Sequence, residues 1–226
     1  ISIIAIPLLV KRNSKQKYPL FPPAIFAQRS FTIGATGSAL CQVGFFSIYF
    51  GLPLYMREVW SWSPLKIGFA LIPLNVIPLM TAAIAGKIVD RQGPRPMVIF
   101  GGIWSGISFL VIGFFLMESG YILFALGLLI SGLGAMAIGN NTTIATLLDI
   151  EDSLLASASS ASYTARRLGS ALGAVLTASI VGNRLGADFK DVYIWVWILG
   201  AGAYLLGSLI TYLYYPRRYE EKTQNV

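Results

Sequence analysis

Between two long apolar runs the chain carries Gly86-Lys87-Ile88-Val89-Asp90-Arg91-Gln92-Gly93-Pro94-Arg95. The runs, Pro64–Gly86 and Pro96–Met117, must reverse direction within these few residues. Gly93 permits a positive φ at the reversal. Pro94 and Pro96 open the next helix without needing their amide donors. Asp90 can accept from amides at a helix N-terminus, where the macrodipole favours an anion. Arg91 and Arg95 hold the turn at an anionic membrane surface. A charged turn of this kind between apolar runs joins two transmembrane helices.

Outward from the turn, six apolar segments run over Phe31–Tyr55, Pro64–Gly86, Pro96–Met117, Tyr121–Leu147, Leu154–Val181 and Val192–Tyr215. Each is long enough to cross about 30 Å of hydrocarbon at 1.5 Å per residue. Strands of a membrane barrel would be about half as long and would alternate in polarity. Hydrophobic residues make up 55% of the chain and charged residues 12%, against about 25% charged in a soluble domain. The expected class is therefore an all-α, polytopic transmembrane bundle. Residues 1–10 read as the end of a helix that began upstream, 11–29 as a basic loop, 30–216 as a six-helix lobe and 217–226 as a tail. The chain opens at Ile1 inside an apolar run with no charged leader, which reads as truncation rather than as a signal peptide.

The net charge of +7 is distributed by side rather than by patch. Eleven basic residues (Lys11, Arg12, Lys15, Lys17, Arg29, Lys87, Arg91, Arg95, Arg217, Arg218, Lys222) fall on one side and four (Arg57, Lys66, Arg184, Lys190) on the other. This bias places the first loop and the C-terminus in the cytoplasm and argues for a lipid bilayer, not nucleic acid, as partner. Trp60, Trp62, Trp195 and Trp197 are expected at the outer interface, and Tyr212, Tyr214 and Tyr215 at the inner one.

Several chemistries are excluded. There is no histidine, hence no usual general base or metal ligand. No lysine lies mid-span to serve as the base of an intramembrane peptidase. No G-x-x-x-x-G-K motif is present, so no ATP coupling is expected within this chain, and no cofactor is implied. The single cysteine, Cys41, reads as a small packing residue.

The turn resembles the loop motif of the major facilitator superfamily, G-x-x-x-D-R/K-x-G-R/K-R/K. It keeps Gly86, Asp90, Arg91, Gly93 and Arg95 and departs at Pro94, where a basic residue is usual. Leu52-Pro53-Leu54-Tyr55-Met56 with Ser63-Pro64-Leu65-Lys66-Ile67-Gly68 resembles an outer turn of the fourteen-helix drug:proton antiporter branch. Ala165-Arg166-Arg167-Leu168-Gly169-Ser170-Ala171-Leu172-Gly173 resembles the entry to its penultimate helix. The resemblance covers nearly the whole chain. It implies the C-terminal half of a secondary transporter, with the N-terminal lobe as missing partner and a central cavity between the lobes. It further implies that the first, second, fourth and fifth spans face the cavity or the other lobe, and that the third and sixth face lipid.

Polar residues follow that division in part, the third and sixth spans being poor in mid-span amides and carboxylates. Gln42 lies in the first span, Asn75 in the second, Asn140, Asn141, Thr142 and Thr143 in the fourth, and Ser157 to Thr164 in the fifth. Asn75 sits mid-span between Pro73 and Pro78, which free backbone carbonyls and distort the helix. It is either a pocket residue or an interhelical hydrogen-bonding residue. Gln42 with Phe45, Phe46 and Tyr49 is a candidate aromatic pocket, with ordinary packing as the alternative. Asn140 and Asn141 match glycosylation sequons, but they lie inside a span. Gly169 and Gly173 form a G-x-x-x-G pair suited to close helix packing, with the missing lobe as one possible partner. Arg166 and Arg167 are expected either to pair with Asp90 or the acidic loop Asp149, Glu151, Asp152, or to snorkel to headgroups. No carboxylate lies deep in a span, Glu58 and Glu118 being at outer ends. A proton-coupling acid would then belong to the missing lobe. The expected activity is proton-driven export of amphipathic, often cationic, drug-like small molecules from a prokaryotic cell. A carrier of another solute and a non-transporting scaffold are the alternatives.

Overall fold

A computed structural model describes residues 22–116, 119–138, 141–183 and 189–215. The described residues form helices: α1 (Pro23–Ala27), α2 (Arg29–Glu58), α3 (Pro64–Ala70), α4 (Ile72–Gln92), α5 (Pro94–Val111), α6 (Tyr121–Ile138), α7 (Asn141–Leu147), α8 (Leu155–Gly182) and α9 (Phe189–Tyr214). A π turn, Ile112–Leu116, extends α5, and a 3₁₀ turn, Asp152–Leu154, leads into α8. Residues 1–21, which include the expected end of a preceding helix and most of the basic loop, Asn140 and the tail beyond Tyr215 lie outside the described residues.

Helix ends follow local chemistry. The Ser63 hydroxyl accepts from the Lys66 amide at 3.4 Å and Pro64 takes the first helical position, which starts α3. Pro73 starts α4 after a break at Leu71. The second span, α3 with α4, bends by 46° between Pro64–Met80 and Ala83–Gln92. Pro78 lies inside it and removes one ladder hydrogen bond to the preceding turn. At the turn between α4 and α5, Gly93 has φ +76°, and its amide donates to the Val89 carbonyl at 2.8 Å. The positive φ expected of Gly93 is thus present, and Pro94 begins α5.

Among the described residues four spans are long and apolar enough to cross a membrane, or five when the bent α3–α4 pair counts as one. The expected fifth segment departs from this. α8 has 28 residues, enough to span, but it does not meet the hydropathy of the others. Its first half carries Ser157, Ser159, Ser160, Ser162, Tyr163, Thr164, Arg166 and Arg167, a composition that lipid on all sides would not tolerate.

The bundle is organised around α2, which packs on α8, α9 and α7; α9 also packs on α5, α5 on α6, and α6 on α4. Lipid supplies no hydrophobic drive between helices, so small residues that allow close approach hold such contacts. Where α2 crosses α9, a Cβ added to Gly44 would sit 2.7 Å from the Gly200 carbonyl oxygen. The main core gathers Ile48, Leu52 and Met56 of α2 with Phe109, Phe124, Leu128, Val196 and Trp197.

Aromatic residues mark the two ends unequally. At one end Tyr55, Trp60, Trp62, Tyr121, Phe124 and Tyr193 form a continuous chain of ring contacts, edge-to-face except for the tilted Trp60–Trp62 pair, with Lys66 Nζ 3.9 Å above the Trp62 ring. Trp195 is exposed, as an interfacial residue should be, but Trp197 is not: it is 1% exposed and fills the space beside Gly113. Two residues along a helix turn the side chain to the opposite face, which is why one tryptophan looks outward and the other into the core. At the opposite end Tyr212 and Tyr214 are exposed, whereas Tyr215 is buried and donates to the Ala145 carbonyl. Exposed apolar side chains cover the outer faces of α5 (Phe100, Ile103, Ile107) and α9 (Ile198, Leu206, Leu209), the third and sixth spans. They also occur on α4 (Leu79, Ile84) and α8 (Leu168, Val175).

Candidate functional site: a polar cavity bounded by five spans

A cavity of about 320 Å³ lies in the bundle. α2 contributes Ser38, Cys41, Gln42 and Phe45; α4 contributes Leu74, Asn75 and Pro78; α6 and α7 contribute Ala135, Ile138 and Thr142; α8 contributes Arg166; and α9 contributes Tyr204. Of the helices at this level α4 is the bent one, and Pro78, which lies inside it, is itself part of the lining.

Arg166 is the charged member of the lining. With the Gln42 amide oriented so that its oxygen faces the guanidinium, that oxygen accepts from Arg166 Nε at 3.2 Å and from Nη2 at 2.9 Å. Arg166 Nη1 donates to the Thr143 hydroxyl. Its partners among the described residues are therefore neutral. The pairing with Asp90 or the acidic loop that was one expectation from the sequence is not what it makes. Arg167, one residue on, is exposed, donates to the Tyr163 hydroxyl and lies 4.8 Å from that ring.

Gln42, Phe45 and Asn75 are brought together here. Phe45 stacks on Tyr49 at 5.3 Å and meets Phe46 edge-on at 5.5 Å. Phe46 and Tyr49 thus buttress the lining ring without lining the cavity themselves. Asn75 is exposed on the open side, its Nδ2 3.4 Å from the Leu71 carbonyl one turn back. That long contact leaves most of the amide's hydrogen-bonding capacity available. Asn141 does otherwise: it is buried and donates to the Ala137 carbonyl at 2.9 Å, tying α7 to the end of α6 outside the cavity. Asn140 lies outside the described residues.

Gly169 and Gly173 face α2 of this same chain. A Cβ on Gly169 would lie 2.2 Å from the Ala39 carbonyl oxygen, and one on Gly173 2.4 Å from that of Val43. Ser47 donates to the Gly173 carbonyl and Thr177 to the Ser47 carbonyl, each at 3.3 Å. This crossing presses α8 onto α2 and sets Arg166 against Gln42. Arg166 precedes Gly169 by three residues and Gly173 by seven, so it shares their face. That spacing could have placed Arg166 in the cavity from sequence. Tyr204 carries no such signal among the apolar residues of α9.

Of the turn motif, Asp90, Arg91 and Gly86 are exposed, and no heavy atom lies within 4 Å of a Cβ added to Gly86. Arg95 does not reach outward. Its Nη2 donates to the Tyr212 carbonyl at 2.9 Å, and its guanidinium lies 6.0 Å from the Tyr212 ring. It thereby satisfies an orphan carbonyl in the last turn of α9, where a cation also complements the helix dipole.

A larger hollow of about 410 Å³ runs between α5 and α6, lined by Phe100, Ile103, Trp104, Ile107, Val111 and Ile130 among others. Its surface is apolar, and the Trp104 indole is already used by the Ile130 carbonyl at 2.9 Å. It suits lipid chains better than a polar solute. Among the described residues no cluster of three or more potential metal ligands occurs.

The fold defines a helical integral membrane protein, in which polar groups converge inside a bundle whose outer faces are apolar. The chain belongs to the Major Facilitator Superfamily, whose family model matches residues 34–226. It is similar to the tetracenomycin C resistance and export protein of Streptomyces glaucescens, 24% identical over 84% of this chain and 35% of that protein. It is also similar to the riboflavin transporter RibZ of Clostridioides difficile, 25% identical over 84% of this chain and 41% of the relative. The multidrug export protein EmrB of Escherichia coli is 26% identical over 81% of this chain and 36% of its own length. The chain spans less than half the length of these curated relatives.

Proposed function

We propose that this chain forms the C-terminal lobe of a proton-coupled exporter of amphipathic or drug-like small molecules, of the fourteen-helix branch that the sequence resembles. The observation that carries the reading is the cavity of about 320 Å³, in which aromatic rings, two amides and one guanidinium converge from four spans. A flat aromatic solute packs on Phe45 and Tyr204 while the amides fix its polar edge, the usual division of labour in a small-molecule site. The printed names of the tetracenomycin C and multidrug exporters support a drug-like cargo. A second lobe closes the open side, and protons enter through a carboxylate of that lobe. Alternating access rocks one lobe against the other about the cavity, and the exposed Gly86–Arg91 segment sits where the lobes move past each other. The Gly93 end faces the cytoplasm of a prokaryotic cell, on the basic-residue bias.

The test is transport by the full-length protein in everted membrane vesicles, reading uptake of a fluorescent aromatic drug. Uptake that needs an imposed inward-acid gradient and stops when the gradient is collapsed supports the reading. Gradient-independent equilibration of the drug would replace it with facilitated diffusion.

A further inference from the structure

Arg166 lines two hollows at once. On one side is the amide-and-aromatic cavity; on the other is a second hollow of about 380 Å³ lined by Thr143, Ser159, Ser160, Ser162 and Tyr163. Ser162 is 1% exposed, and its hydroxyl is without a partner. Arginine remains charged in a protein, and an uncompensated charge at this depth is costly. Of its five N–H donors, three are taken, two by the Gln42 oxygen and one by Thr143. Each terminal nitrogen keeps one N–H, available to an acid group.

We propose that the substrate is an amphipathic anion whose carboxylate or equivalent acid group seats on Arg166, with its apolar body between Phe45, Leu74 and Tyr204. This rests on the cavity being the transport site, and it narrows the proposed amphipathic cargo to anions, against the often cationic cargo expected from the sequence. A cation in this cavity would meet a fixed like charge, with no carboxylate among the described lining residues to offset it. The hydroxyls of the second hollow give the acid group a polar surface beyond Arg166, along α8, in place of bulk water. Gln42 and Thr143 act as positioning residues that hold the guanidinium plane.

The test uses the full-length protein in lipid nanodiscs and equilibrium dialysis of three probes with one ring system: 2-naphthylacetate, 2-(2-naphthyl)ethanol and 2-(2-naphthyl)ethylamine. Empty discs correct for partition into lipid. At neutral pH the carboxylate should bind on the order of tenfold more tightly than the alcohol, and the amine most weakly. Arg166→Gln should bring the carboxylate down to the level of the alcohol in the same variant, whose fold is checked separately by its size-exclusion profile. Arg166→Lys, which keeps the charge, should keep most of the preference. Equal or tighter binding of the amine by the wild-type protein overturns the proposal, whatever the variants do. Equal binding of carboxylate and alcohol overturns it too, and is expected if a carboxylate of the second lobe already neutralises Arg166. A carboxylate preference that survives Arg166→Gln places the anion elsewhere. Binding of none of the probes above empty discs removes the cavity reading itself, and this proposal with it.

Discussion

Gly169→Ala is the substitution that most sharply tests how α8 is held on α2. The added Cβ would lie 2.2 Å from the Ala39 carbonyl oxygen and 3.0 Å from the carbonyl carbon. Both are backbone atoms within a 30-residue helix, so no side-chain rotation relieves the contact. The helices must part by about 1 Å to restore van der Waals distance. Overfilling a tight interface costs roughly 1–3 kcal/mol. The parting also stretches the hydrogen bonds Ser47–Gly173 and Thr177–Ser47, already at 3.3 Å, at about 0.6 kcal/mol each inside a membrane. The expected loss is roughly 2–4 kcal/mol. Gly202→Ala is the matched control. It lies in α9, no heavy atom is within 4 Å of its added Cβ, and alanine improves helix propensity by up to about 1 kcal/mol. Both variants of the full-length protein, purified in the same mild detergent, are heated and the surviving monodisperse fraction is read by size-exclusion chromatography. Gly169→Ala should melt well below wild type, and Gly202→Ala at or above it. Equal melting of the two variants would refute the close-packed α2–α8 crossing.

Three further outcomes follow from the turn and its surroundings. Gly93→Ala places a side chain at φ +76° and should lower stability in the same melting assay by about 1–2 kcal/mol, an effect that Gly86→Ala, in open space, should not show. Arg95→Ala removes the hydrogen bond to the Tyr212 carbonyl and should cost about 1–2 kcal/mol, with Arg95→Lys recovering part of it; an unchanged melt would mean the contact contributes nothing. Asp90→Asn should slow transport severalfold while membrane insertion and yield stay normal, and wild-type transport rates in vesicles would reduce the motif to a plain charged turn.

The bundle was largely legible in the sequence because its signals are long. Apolar runs of twenty or more residues, and a turn whose Gly93 and Pro94 each have one geometric use, leave little choice of architecture. Gln42, Phe45 and Asn75 were singled out in the sequence with packing or interhelical hydrogen bonding as the alternative, and the fold brings all three to one cavity. What failed depended on helical phase. Trp195 and Trp197 look alike in sequence, yet the 200° between them puts one outside and the other in the core. Asn141 spends its amide on the turn behind it, an option that composition does not reveal. Arg166 and Arg167 are adjacent, but only Arg166 shares a face with Gly169 and Gly173. α8, the expected fifth span, is long enough to cross but less apolar than the other spans.

The central claim is that the polar cavity, and not the larger apolar hollow between α5 and α6, is where the solute binds. The most direct measurement compares the drug concentration giving half-maximal uptake in vesicles for Phe45→Ala and Asn75→Ala with that for Ile103→Ala and Ile107→Ala. The account predicts a rise of severalfold for the first pair and little change for the second. A rise confined to Ile103→Ala and Ile107→Ala would contradict it and move the site to the lipid-facing side of the bundle.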